Sequence, residues 1–448
     1  MARTTQPERG ARMLDRWFRL SERGTSLATE LRAGVATFLV MAYIVFLNPI
    51  ILSPLGFDPV AVAAGTALAA GLLSIVMGVY ANYPVAMATG LGINAAVASQ
   101  LVVGSGLTPE GAMGVIVLEG ALVTILVLAG FREAVMKAVP NSLKLAIAVG
   151  IGLFILFIGF VNGGLIAPGV GTPVQFVFPE TASSGVTLLG LLIAIVLYAR
   201  GVPGALVLTI LATAALALLF GVNEWPTSFP GPKFDTLGKF DLGNVWDLGA
   251  LSAVLIIFTF MLTDFFDTMG TATAIVEQAG LVREDGEIPG VGRLLLVDSV
   301  GAVVGGLFGV SSNTSYIESS AGVAEGGRTG LTAVVTGLLF PATIFLSPVA
   351  ILVQGPVTAA VLILIGFLMV GFIRDIDFRD LEEGFPALLA IILMPLTYSI
   401  TVGIGAGFVM HTVVKVVRGK AAQVPMLMWI VSIAFVIYFM QDLIESWT

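Results

Sequence analysis

Apolar stretches long enough to cross a bilayer follow one another along almost the whole chain, separated by short polar breaks. At about 20 residues per crossing, the first half predicts spans near 33–53, 59–80, 84–104, 111–131, 140–163, 184–199 and 203–222. The second half predicts spans near 249–274, 292–310, 312–326, 328–349, 355–373, 384–400 and 401–417. Between the halves lies a loop rich in Pro, Gly and Trp, residues 223–248. With an odd number of spans in each half, repeats of one another would have to be inverted repeats. A last apolar run, residues 426–445, either crosses once more or lies against the inner surface.

Two of these segments break the pattern. The third, around ATGLGINAAVAS, and the tenth, around VSSNTSYIESSAG, are short and built from small and hydroxylated residues. Such composition suits the membrane only where backbone or side chains line a protected cavity, because unpaired polar groups facing lipid cost several kcal/mol each. Interrupted segments at matching positions of two halves point to a binding site near the midplane.

Composition agrees with the spacing: 57% of the residues are hydrophobic and 11% charged, against about 25% charged in soluble domains. Arg3, Arg9, Arg12, Arg16, Arg19 and Arg23 hold the N-terminus in the cytoplasm by the positive-inside rule. Arg132, Lys137, Arg200, Arg283, Arg293, Arg328, Arg374, Arg379, Lys415, Arg418 and Lys420 then fall on the same side; Lys233 and Lys239 fall opposite, in the long loop. The resulting division is a cytoplasmic segment 1–28, a seven-span unit 29–222, an extracytoplasmic loop 223–248, a second seven-span unit 249–417 and a C-terminal segment 418–448 with its apolar helix. With no cysteine, disulfides and thiolate metal sites are excluded.

Acids inside spans are rare and functional by default. Here they are Glu119, Asp264, Asp267, Asp298 and Glu318, and no Lys or Arg lies deep in a span to neutralise them. They need protons, hydrogen bonds, an incoming cation or a donor-rich ligand. That favours a transporter coupled to protons or sodium and a neutral substrate with N–H groups, and it disfavours anions. Asp264 and Asp267, three residues apart, share a helix face. A carboxylate from that face and another from Glu318 could accept from two N–H groups of a planar heterocycle. Glu119 and Asp298 suit bracing or proton relay. Asn94 can both donate and accept, as a base edge requires or as glue between helices. Phe265, Phe266 and Tyr316 could stack on a ring, although such aromatics commonly pack. His411 is expected at the interface beside the basic cluster. Paired aspartates also occur in intramembrane proteases, but here GLG is followed by Ile93 and Asn94, and one acid of the pair is a glutamate. An enzyme is not expected.

Four runs carry a closer resemblance: FLVMAYIVFLNPIIL (38–52), ATGLGINA (88–95), TDFFDTMGT (263–271) and above all TSYIESSAGVAEGGRTGLTAV (314–334). They resemble the AzgA-like purine permeases, the hypoxanthine, guanine and adenine branch of the nucleobase:cation symporter-2 family. The resemblance implies an all-α polytopic membrane fold of fourteen transmembrane segments in two inverted repeats of seven. Spans 1–4 and 8–11 would form a core domain and spans 5–7 and 12–14 a gate domain, with short strands in spans 3 and 10. It places the family's span-8 acid on Asp267, with Asp264 a turn earlier, its span-10 acid on Glu318 and its span-3 polar contact on Asn94. Thr271 falls where relatives carry a group supporting the span-8 acid, and Tyr316 completes the substrate-binding set.

The implied activity is import of purine nucleobases across the cell membrane by proton symport with an elevator-like movement. Asp267, Glu318, Glu119 and Asp298 are the candidates for proton coupling. No cofactor, metal or nucleic acid is implied, and sodium stays open as the coupling ion. Homodimers are known in the wider family. The alternatives are a sodium- or proton-coupled xanthine or uracil carrier and an anion permease of the same fold.

Overall fold

The structure is a computed structural model describing residues 14–130, 138–169, 171–227, 230–282, 288–353 and 355–440. Arg3, Arg9, Arg12, Arg132, Lys137, Arg283 and the end of the last apolar run lie outside these residues. Among the described residues, eight helical stretches are long and apolar enough to cross a membrane, from Leu27–Ile51 to Ile400–Val417. Local chemistry starts them cleanly. Pro59–Val76 opens on a proline behind Asp58, whose side chain accepts from Val60 N. Pro109–Leu128 repeats the arrangement with Thr108 and Gly111 N. Proline suits a first helical position, where its missing N–H has no partner to lose.

The third and tenth segments do not form simple helices. Each begins as a short strand, Met87–Thr89 in the first half and Asn313–Ser315 in the second, and then turns into a helix. After the first strand the chain runs through Leu91–Ala96 into the wider turns of Val97–Gly104. Ser319–Ala324 follows the second strand. The expected strands in these two segments are therefore present.

Glycines set the helix crossings. Pro59–Val76, with the wider turns that continue it, meets Gly330–Thr343 where a Cβ on Gly330 would stand 2.0 Å from the Gly78 carbonyl oxygen and one on Gly337 would stand 2.6 Å from that of Gly71. Asn141–Asn162 meets Pro356–Val370 through Gly152 and Gly366 in the same way. Pro109–Leu128 packs on Val291–Leu307 at Gly120 and Gly306. Lipid tails are as apolar as leucine, so association in a membrane rests on such close backbone packing. Gly330→Ala is expected to destabilise the protein by about 1–3 kcal/mol through overpacking, read as a lower melting temperature of purified protein. Gly185→Ala, whose added methyl meets nothing within 4 Å, is expected to melt like the parent.

Packing sorts the helices into two groups. Leu27–Met41, Pro59–Val76, Pro109–Leu128, Ala250–Gln278, Val291–Leu307 and Gly330–Thr343 pack together around the two strands. Asn141–Asn162, Ala182–Ala199, Ala205–Leu219, Pro356–Val370, Leu381–Thr397 and Ile400–Val417 form the other group, with Met426–Phe439 against the last of them. Few polar contacts join the groups. The Gln100 amide donates to Thr401 Oγ1 at 2.5 Å and accepts from Ser399 Oγ at 3.3 Å. At one end of the second group, Lys415, Lys420 and Arg418 hydrogen-bond Glu382 and hold its carboxyl well below the usual carboxylate range. His411 is buried beside them, Nδ1 3.3 Å from the Glu382 carbonyl oxygen.

Candidate functional site

The two strands meet antiparallel, Met87 opposite Ser315, Ala88 opposite Thr314 and Thr89 opposite Asn313. Tyr316 N donates to Ala86 O and Gly90 N to Ser312 O, which extends the ladder at both ends. Irregular backbone at membrane depth survives only when protein satisfies its polar groups, and here each strand does so for the other. Helix side chains fasten the same register pair from both sides. The Ser74 hydroxyl accepts from Met87 N at 2.9 Å, while Asp298 accepts from Ser315 N at 2.7 Å and from its hydroxyl at 2.8 Å. Thr268 donates to the other Asp298 oxygen at 2.5 Å and shares a hydrogen bond with Thr314. Asp298 therefore braces the second strand.

Three residues past that strand, Glu318 accepts from the Tyr43 hydroxyl at 2.5 Å. Tyr43 is fully buried at the joint between Leu27–Met41 and Ile44–Ile51. The Tyr316 hydroxyl donates to Thr89 O at 2.9 Å and so helps to hold the strands together. Asp267, partly buried on Ala250–Gln278, lies within electrostatic reach of Glu318 and Asp298 and accepts no hydrogen bond from any described residue. Among the described residues, no Lys or Arg pairs with either acid. Near the crossing there are thus two carboxyls within electrostatic reach of each other, one of them hydrogen-bonded by a tyrosine.

The remaining candidates divide. Thr271, half-buried, stands one turn beyond Asp267 on the same helix. Asn94 is fully buried and donates to Asn48 Oδ1 at 2.5 Å, leaving its own Oδ1 without a partner. Asn48 in turn donates to Thr66 Oγ1 and Val310 O. Asp264 sits among buried groups with Oδ1 unpartnered, within electrostatic reach of Glu119 and Asp298 before Asp267. Phe265 and Phe266 pack edge-to-face on each other with centroids 5.5 Å apart. Sequence reasoning missed Tyr43 and Asn48. Their signal was present in FLVMAYIVFLNPIIL, where two hydrogen-bonding side chains interrupt an otherwise apolar run.

A family profile described as a permease family matches residues 28–406. The chain is 38% identical to the guanine/hypoxanthine permease PbuG of Bacillus subtilis, over 94% of this chain and 98% of that one. It is 39% identical to the adenine permease AdeP of Escherichia coli, over 97% of each. The chain belongs to this permease family, in its purine-permease branch. Among solved structures, this permease is similar to the transmembrane domain of a cyanobacterial bicarbonate transporter, BicA, with TM-score 0.61 and 15% identity over 85% of this chain and 97% of that one. It is also similar to SLC26A9, with TM-score 0.59 and 14% identity over 88% of this chain and 66% of that one. This permease is therefore a multi-pass membrane protein with the fold of those transporters, and a transporter rather than an enzyme.

Proposed function

We propose that this permease imports purine nucleobases with a proton, and that Glu318 and Asp267 accept the N–H groups of the base. The observation that carries the reading is the pair of carboxyls near the strand crossing, one held by Tyr43, with no basic side chain paired to either among the described residues. A purine brings two or more N–H donors and no charge of its own, which matches acceptors that lack a cation. The names of PbuG and AdeP support the same class. Asn94, Thr271 and Tyr316 shape the site around these contacts, and at least one acid changes protonation during the cycle. An anion, as carried by the similarly folded BicA, would meet repulsion at both acids.

In this reading the chain crosses fourteen times as two inverted repeats of seven, with the N-terminus in the cytoplasm. The pairing of strand with strand supports the symmetry, as do the Gly152 and Gly366 contacts between one segment of each half. The helix group around the strands is the core that moves, and the other group is the gate it moves against. Sparse polar contact between the two groups, through Gln100, supports sliding of this kind.

Uptake of radiolabelled hypoxanthine into proteoliposomes tests the function, first with a proton gradient and then with a sodium gradient. Proton-driven accumulation competed by adenine and guanine, and left unchanged by bicarbonate, is expected. Accumulation driven by sodium alone, or competed by uracil and by neither purine, would overturn the reading. Tyr43→Phe removes one charge-assisted hydrogen bond, worth about 1.5–3 kcal/mol. Its expected effect in the same assay is a roughly ten- to hundredfold rise in KM with uptake still measurable.

A further inference from the structure

Behind the strand crossing, Glu119 is fully buried on Pro109–Leu128 and neither of its oxygens has a hydrogen-bond partner. It faces Asp264 and Asp298, and Ser312 stands beside the carboxyls of both Glu119 and Asp264. Asp264 Oδ1 and the hydroxyls of Ser311 and Ser312 are also buried and unpartnered. Ser311 holds φ +69°, a left-handed conformation that is strained for a residue with a Cβ. A buried polar group without a partner calls for an explanation such as a missing water or ion. Several such atoms from three separate segments converge here.

Two neighbouring carboxyls with no cation in reach cannot both stay ionised in a dry interior. Among the described residues, the titratable groups facing the pair are Asp298 and, on Asp264's own helix, Asp267; all are acids. The occupant that fits is a proton.

We infer that Glu119 and Asp264, with the Ser312 hydroxyl, form a proton-holding pair separate from the substrate carboxyls, loaded and emptied once in each transport cycle. This inference rests on the proton-symport reading above. Asp264 lies one helical turn from Asp267, and Asp298 is within electrostatic reach of Glu119, Asp264 and Asp267. A proton held by the pair removes a negative charge near Asp267 and so favours ionisation of the acids that accept the base. Loading forms one O–H bond on a carboxylate oxygen with a proton from the outer solution. Release breaks that bond toward the cytoplasm, and no other bond changes.

Glu119→Gln keeps the shape of the neutral acid but cannot release a proton. In proteoliposomes, the variant is expected to lose proton-driven hypoxanthine accumulation at least tenfold while retaining hypoxanthine counterflow in the absence of a gradient. Proton movement accompanying hypoxanthine entry is expected in the wild type and absent in the variant. Wild-type accumulation and proton movement in Glu119→Gln would overturn the inference. Glu119→Asp keeps a group able to hold a proton and covers the case in which the glutamine variant fails to fold. It is expected to shift the pH profile of accumulation, and an unchanged profile would also overturn the pair. A wild type driven by sodium and not by protons is a separate failure, since it removes the symport reading itself.

Discussion

Glu318→Gln is expected to abolish hypoxanthine uptake, and Asp267→Asn to do the same, with each variant still folded and inserted. Both acids offer acceptor oxygens and nothing else to a ligand, and the amide substitutes replace one oxygen with an N–H₂ donor. A donor then faces a donor, so the variant loses a charge-assisted hydrogen bond and gains a repulsive contact. The lost bond alone is worth about 1.5–3 kcal/mol, and the unpaired N–H of the bound base adds a desolvation penalty of similar size. Together these correspond to a loss of roughly a hundredfold or more in apparent affinity. Folding should survive because Glu318 makes a single side-chain hydrogen bond, from Tyr43, which a glutamine oxygen can also accept, and Asp267 makes none with a described residue. The check is initial-rate uptake beside the melting temperature of the same preparations. Wild-type transport by both variants would remove these acids from the site.

Glu30→Ala is expected to strike the fold itself. Glu30 is fully buried in the first turn of Leu27–Met41 and reaches across to the start of Gly330–Thr343. One oxygen accepts from Arg328 N at 2.8 Å; the other accepts from Thr329 Oγ1 at 2.8 Å, Thr332 Oγ1 at 2.6 Å and Thr332 N at 3.1 Å. It thereby caps a helix start on another element, where first-turn N–H groups have no partner of their own and where a negative charge complements the helix dipole. Arg23 and Asn82 secure the same corner. Arg23 donates to Asn82 O and Arg328 O, and Gly330 N donates to Asn82 Oδ1. Removing the carboxylate leaves two or more buried donors unsatisfied at about 1–3 kcal/mol each. Loss of most folded protein from the membrane fraction is therefore expected, with Glu30→Gln intermediate because it keeps one acceptor oxygen. A Glu30→Ala protein that melts with the wild type would show that water or another residue replaces the cap.

Much of the site is legible in the amino-acid sequence. The acids stand out because ionisable residues inside apolar runs are rare, and the third and tenth segments stand out because they are too polar or glycine-rich for lipid-facing helices, although their strands are implied only by the family resemblance. Other features stay hidden. Glu30 reads as an ordinary polar residue at the start of the first apolar segment, and its partners lie about three hundred residues away in sequence. Tyr43 reads as one more aromatic in a span until Glu318 is found against it. Asp264 and Asp267 share a face by spacing, yet contacts from neighbouring helices set them in different surroundings, Asp264 against Glu119 and Asp267 toward Glu318.

By itself the sequence determined that this protein lives in a membrane and that acids without a basic partner in sequence lie within its apolar segments. Hydropathy and charge are local properties, and the bilayer enforces them segment by segment. Only the tertiary structure decided which of those acids are hydrogen-bonded as braces and which face one another in the buried core. Hydrogen bonding and burial depend on what other helices bring to within about 3 Å. No periodicity along a single chain specifies that.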